Sequence, residues 1–312
     1  MKIAVIGVGY WGKKHVEEYV NLGQNVTICD ESEKNIFDCI EKFSELDTKK
    51  IGEILNDDEI EGVSICTPNK THFEIAKSCL KAKKHVFLEK PIATNLEDAN
   101  ELIKISEENN VVLQIGHLYR FNNSIMKTRK IINENTFGTV HSVYFSWTNF
   151  EPIFSDRGII LDLGIHPVDI IDYIFGGSIQ NIKCRGWGIR QDRPEFAIIN
   201  YQLTTQKNEL IFVNIELSWL NPIKKREMTI LGNENTLNVQ CVEQKISLIN
   251  NKSKDQKEIE IKANNTIQDE LSFFIDMCKN KKMILEPYPN SKIGKNILDI
   301  ILQAERENSD KK

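Results

Sequence analysis

The chain predicts two domains: a doubly wound parallel α/β sheet over residues 1–118, then an α+β domain over 119–312 built on a largely antiparallel open sheet flanked by helices. Three observations carry this. Up to residue 116, short apolar runs alternate with helix-length stretches. A glycine pattern stands between the first run and the first helix. Past residue 116 the alternation stops, and extended segments joined by turns follow one another.

Taken in order, Lys2-Ile3-Ala4-Val5-Ile6 is a short apolar run ending at a glycine, which reads as a buried strand. A helix is expected over 13–22, a second strand over 25–29 and a polar helix over 32–43. An amphipathic segment at 50–56 leads to a strand at 62–66, a helix at 70–82, a strand at 85–88, a helix at 96–109 and a strand at 111–115. The second domain opens with a helix over 123–135, a strand over 140–149, a loop around 151–157 and a helix over 160–175. Strand-like stretches at 179–186, 196–203, 209–217, 226–232, 237–242, 246–250 and 258–261 suggest a meander, with Gly232-Asn233-Glu234-Asn235 as one of its turns. Helices close the chain at 267–279 and 291–306, the latter free to pack back on the first domain, and 307–312 reads as a frayed tail. One sheet face needs a cover, and Phe212, Leu217 and Trp219 suggest a partner subunit in a homodimer or homotetramer.

Gly7-Val8-Gly9-Tyr10-Trp11-Gly12 fits the G-x-G-x-x-G pattern of a dinucleotide-binding (Rossmann) turn. Strand, glycine turn and helix start would turn backbone N–H groups and the positive end of a helix dipole toward a pyrophosphate. Gly7 would allow the tight turn, Gly9 the approach of the diphosphate, and Gly12 close helix packing. Tyr10 and Trp11 would flank the ligand. Asp30 closes the second strand at about the spacing at which a carboxylate meets a ribose diol. Glu31 follows it and no basic residue appears before Lys34, so NAD is expected rather than NADP.

Composition narrows the classes. Apolar residues make up 40% and charged residues 27%, and the net charge is −5, which does not suit a nucleic-acid surface. The start shows no basic segment followed by an apolar one, and no apolar run approaches the about 20 residues that span a bilayer. The seven cysteines are scattered without a C-x-x-C pair, pointing to buried thiols in a reducing cytoplasm rather than disulfides or zinc. No metal site is expected.

Three further stations carry polar chemistry. Thr67-Pro68-Asn69-Lys70-Thr71-His72 and Glu89-Lys90-Pro91 each follow an apolar strand, where an α/β sheet gathers its ligands. Lys90 is either a surface charge or a cation facing a reacting hydroxyl. His72 is either near the cofactor or part of a helix start. Asp162 and His166, four residues apart, share a helix face and could handle a proton. Asp169 lies three residues farther on, suited to a sugar hydroxyl or an ion pair. Arg120, with Tyr119 and Asn122, would line a substrate pocket or form a structural bridge. His15, His85 and His141 read as structural.

Together, the glycine turn, Thr67-Pro68, Glu89-Lys90-Pro91 and the D-x-x-x-H of Asp162 and His166 resemble the glucose-fructose oxidoreductase and inositol dehydrogenase (Gfo/Idh/MocA) family over nearly the whole chain. The resemblance implies NAD-dependent hydride transfer at a secondary hydroxyl of a sugar or cyclitol. It also implies a functional Lys90 before a cis Pro91. Thr67, Pro68, Asn69, His72, Glu89 and Lys90 join the cofactor set, and Lys90, Tyr119, Arg120, Asn122, Asp162, His166 and Asp169 the substrate set. Residues 158–166 and 218–226 look like those of members acting on nucleotide sugars, of the UDP-N-acetylglucosamine 3-dehydrogenase type, where Arg157, Lys224 and Arg226 could meet a diphosphate. A free-sugar or inositol dehydrogenase, or a non-catalytic NAD-responsive regulator, is the alternative.

Overall fold

Each apolar run of the first domain becomes a strand whose neighbours are parallel, because helices carry the chain back between them. The computed structural model describes residues 1–134, 137–154, 157–280, 284–285 and 287–309. It divides into two units, Met1–Leu118 with Asn265–Leu298, and Tyr119–Asn264 with Asp299–Lys312.

In the first unit the order is β1 (Lys2–Ile6), α1 (Tyr10–Asn21), β2 (Asn25–Cys29), α2 (Glu33–Lys42), β3 (Asp47–Thr48), α3 (Ile51–Asn56), β4 (Ile60–Ile65), α4 (His72–Lys81), β5 (His85–Glu89), α5 (Leu96–Glu108) and β6 (Leu113–Gly116). The six strands lie in the order β3-β2-β1-β4-β5-β6, all parallel. That order reverses between β1 and β4, which opens a crevice at their carboxyl ends. Local chemistry sets the helix starts: Ser32 caps α2 through its hydroxyl, and the Asn95 amide oxygen caps α5. The two-residue β3 was not anticipated, since its Asp47 and Thr48 are exposed and carry no hydrophobic pattern.

The second unit runs α6 (Asn123–Asn133), β7 (Val140–Phe150), α7 (Ile159–Phe175), β8 (Ser178–Trp187), β9 (Phe196–Thr204), β10 (Leu210–Ser218), β11 (Leu220–Gly232), β12 (Asn235–Gln240), β13 (Lys245–Asn250) and β14 (Gln256–Ile259). Its eight strands follow the order β14-β13-β12-β11-β7-β10-β9-β8. Every pair is antiparallel except β7 with β10, so the sheet is two meanders joined through a parallel seam rather than one meander. Of the residues expected on its open face, Phe212 is exposed, whereas Leu217 and Trp219 are fully buried. Period two explains the split: Phe212 and Leu217 are an odd number of positions apart on one strand and face opposite sides.

α8 (Thr266–Asn280) belongs with the first unit, not with the second domain in which the sequence reading placed it. Leu271 and Phe274 are fully buried against a core that includes Val16, Tyr19 and Phe87, each contributing about 1.5–3 kcal/mol. α9 (Ser291–Ser309) extends three residues beyond the helix expected to stop at 306. Residues 135, 155–156 and 310–312, which fall in the expected helix end, loop and tail, lie outside the described residues. Among the described residues no helix is long and apolar enough to cross a membrane.

α7 presents Asp162 and His166, and its rotation is fixed on two sides. At Gly164 a Cβ would come within 3.2 Å of Ile301 and Leu217, so helix and sheet pack closely there. From the short turn Leu118–Phe121, Arg120 Nε donates to Asp169 Oδ1 and its Nη2 to Asp172 Oδ2, both at 2.7 Å. Burial pushes the Asp169 carboxyl up to about 6, against the pull of Arg120. Because this folded-state value lies above that of an ordinary carboxyl, the contribution of Asp169 is complete in acid and is lost as pH rises through about 6. Removing the guanidinium should extend that loss to higher pH. Arg120→Ala is therefore expected to cost about 3–5 kcal/mol near pH 8, and clearly less at pH 5, where Asp169 takes up a proton. Thermal unfolding at both pH values checks this; an equal penalty refutes it.

Candidate active site

Gly7 leaves β1 at φ +84°, and a Cβ there would stand 2.8 Å from Thr67 Cγ2 and 2.9 Å from the Cys66 carbonyl. The turn after β1 thus presses against the turn after β4 at the point where the strand order reverses. Gly12 packs tighter still: its Cβ would fall 1.8 Å from the Gly7 carbonyl oxygen. Around Gly9, by contrast, a Cβ would meet nothing within 4 Å. Gly9 also precedes α1, whose first turn has no side-chain cap and no acidic residue. This is open space in front of a positive helix end, and it fits a diphosphate.

Asp30 lies beside that turn. Its Oδ2 accepts from the Val8 backbone N–H at 2.7 Å, and its Oδ1 from the Ser32 N–H at 2.8 Å and Asn35 Nδ2 at 3.3 Å. Tyr10 and Trp11 are exposed at the helix start with Lys14 over both rings. The chain after β4 forms a short turn at Asn69–Thr71, and the Thr71 hydroxyl lies 2.8 Å from the Thr67 hydroxyl and from the Pro68 carbonyl. These residues fit a nicotinamide dinucleotide.

His72 is the first residue of α4, as the helix-start alternative has it. It is buried, with Nδ1 2.8 Å from the Pro91 carbonyl and Nε2 2.9 Å from the Thr67 carbonyl. Burial pushes its imidazole below the usual range although both carbonyls pull the other way. Its role is to tie the turn after β4 to the turn after β5. The latter contains a cis Lys90–Pro91 bond and leaves Lys90 partly buried. Glu89 is held from behind: its Oε1 lies 3.2 Å from His15 Nε2, and the other ring nitrogen is 2.8 Å from the Ser64 hydroxyl. Burial works to raise the Glu89 carboxyl, but the hydrogen bond to His15 and the nearby Lys90 ammonium hold it below the usual range.

In the second unit, His166 stacks on Trp147 with centroids 4.9 Å apart and planes at 11°, and the Tyr119 ring meets both edge-on. The Arg226 guanidinium sits 4.5 Å from the same indole and donates to the Thr148 carbonyl and to Asn149 Oδ1, each at 2.8 Å. Asp162 pairs with Arg157 at 3.8 Å. Tyr119 and His166 remain partly exposed.

Three expected substrate residues are otherwise engaged. Arg120 and Asp169 are buried against each other, and Asn122 caps α6, accepting from the Ser124 N–H and donating to the Cys241 carbonyl. Arg226, expected with Lys224 to meet a diphosphate, is likewise buried, whereas Lys224 is exposed. The sequence reading gave His15 only a structural role and missed Trp147. His15 was detectable as the position one helical turn past Gly12; nothing local marked Trp147.

Residues 1–117 match the oxidoreductase family with an NAD-binding Rossmann fold, and residues 125–238 match the GFO/IDH/MocA C-terminal domain. A myo-inositol 2-dehydrogenase of Thermotoga maritima is 31% identical over 194 residues, 60% of this chain and 58% of that protein. The UDP-N-acetylglucosamine 3-dehydrogenase of Acidithiobacillus ferrooxidans is 28% identical over 198 residues, 63% of this chain and 61% of that protein. A 2,7-anhydro-N-acetylneuraminate hydratase of Escherichia coli is 25% identical over 222 residues, 68% of this chain and 57% of that protein. The matched stretch thus spans somewhat over half the length of each relative. The solved structure of the Acidithiobacillus enzyme shares the fold, with a TM-score of 0.84 over 99% of this chain and 98% of that one at 22% identity. Both halves of the sequence carry the family's domains, on a fold whose strand order and glycine turn agree with them, and the chain belongs to the GFO/IDH/MocA oxidoreductase family.

Proposed function

We propose that this protein is an NAD-dependent dehydrogenase acting on a secondary hydroxyl of a sugar, C3 of a nucleotide sugar such as UDP-N-acetylglucosamine being the favoured substrate position. The observation that carries the cofactor half is the open, uncapped helix start at Gly9 beside the Asp30 carboxylate. Gly7, Gly9, Gly12, Asp30 and the Thr67-Pro68-Asn69 turn would hold the dinucleotide, which when bound supplies a hydride acceptor. Asp30 with Glu31 disfavours a 2′-phosphate, hence NAD over NADP. Hydride loss from an alcohol carbon requires that the hydroxyl proton be taken up and that negative charge on oxygen be stabilised. Lys90 and His166 divide these two tasks, with Asp162 on the helix face of His166. The 28% identical UDP-N-acetylglucosamine 3-dehydrogenase supports the substrate class. Pairing of two copies through the sheet face that exposes Tyr144 and Phe212 would complete a cytoplasmic homo-oligomer.

The hydratase relative favours a second reading, in which the nicotinamide stays bound and is restored within each cycle. Product formation without net absorbance change at the nicotinamide band would identify that case.

Two outcomes are expected. Gly9→Val should leave the melting temperature unchanged, since its side chain enters open space, while weakening NADH binding more than about tenfold by fluorescence titration; undiminished binding would refute the diphosphate position. Lys90→Ala and His166→Ala should each lower turnover about 10²–10⁴-fold on a panel of sugars, cyclitols and nucleotide sugars, with nucleotide binding intact. Full turnover in either variant would remove that residue from the chemistry.

A further inference from the structure

His15 and Glu89 connect the helix that begins at the glycine turn to the strand that ends just before Lys90. His15 is 1% exposed, enclosed by Tyr19 and Phe87, with its ring nitrogens toward Ser64 and Glu89. A neutral imidazole satisfies both contacts: the Ser64 hydroxyl donates to Nδ1, and Nε2–H donates to the carboxylate. The pair then retains the carboxylate's negative charge. Glu89 Oε2 accepts from the Lys90 backbone N–H at 3.3 Å, and the carboxylate lies over Gly116, where a Cβ would be 3.1 Å from it. A side chain at 116 would press on the carboxylate. The charge is therefore fixed at the carboxyl ends of β5 and β6, bordering the crevice in which this fold takes its dinucleotide.

Oxidised nicotinamide is a cationic ring and the reduced form is neutral. A cation beside the Lys90 ammonium is unfavourable unless an anion lies within range of both. We propose that Glu89, kept as a carboxylate by His15, is the counter-charge that lets oxidised nicotinamide lie near Lys90, so that the pair sets the preference for oxidised over reduced cofactor. His15 is a positioning residue acting through Glu89. The inference rests on the nicotinamide reading above and adds to it a specific determinant of redox-state affinity.

The test measures Kd for NAD⁺ and for NADH separately on the full chain by calorimetry and fluorescence. Glu89→Gln, nearly isosteric, is expected to weaken NAD⁺ about tenfold and to change NADH less than about twofold. His15→Leu removes the donor and should shift the ratio in the same direction, while His15→Gln, which keeps an N–H donor, should restore most of it. Equal losses for both nucleotides in Glu89→Gln, or an unchanged ratio at an unchanged melting temperature, would overturn the proposal. Should His15→Leu fail to fold, Glu89→Gln and His15→Gln still decide it. Wild-type protein binding neither nucleotide would refute the nicotinamide reading itself, and the proposal with it.

Discussion

The first unit depends on one steric contact, the approach of Gly12 to the Gly7 carbonyl, which leaves no room for a side chain. That contact places α1 directly behind the turn and so decides three other positions. The helix begins at Tyr10 with its amide end toward open space, Asp30 can reach the Val8 N–H, and His15 arrives one turn later at Ser64 and Glu89. A wider separation would weaken all three together, because none of these side chains is long enough to compensate.

Much of this arrangement was legible in the residues. β1 and β2 fall where the apolar runs place them, and the Gly232–Asn235 turn joins β11 to β12 as expected. Local signals fail where a choice depends on distant partners. The parallel seam between β7 and β10 joins strands separated by two hairpin strands and a helix, and no local pattern encodes which neighbour a buried strand selects. For Arg120 the sequence left two readings open, a pocket residue or a structural bridge to a carboxylate, and the fold makes the bridge. Its carboxylate partners are on α7, 49 and 52 positions away in the chain, and which carboxylates it meets is decided only by the fold. Asn122 has a side chain that reads equally well as a cap or as a ligand.

In the second unit, aromatic packing surrounds the imidazole of His166. Trp147 comes from a central strand, and His166 from a helix buried along most of its length. Ring contact restricts the tilt of the imidazole. Arg226, from the strand paired with β7, braces the same indole and is itself held by neighbouring backbone and amide oxygens.

The two units alternate along the chain, the first made of Met1–Leu118 and Asn265–Leu298, the second of Tyr119–Asn264 and Asp299–Lys312. The chain leaves the parallel sheet after Leu118 and comes back at Asn265 to lay α8 over Val16, Tyr19 and Phe87. A nucleotide-binding fragment therefore cannot be obtained by stopping after the sixth strand, because the cut strips an oily flank from the sheet and invites aggregation. A separable version needs residues 265–298 joined back on through a short linker, and because Asp299–Lys312 belongs to the second unit, the two units exchange segments along the chain rather than following one another end to end.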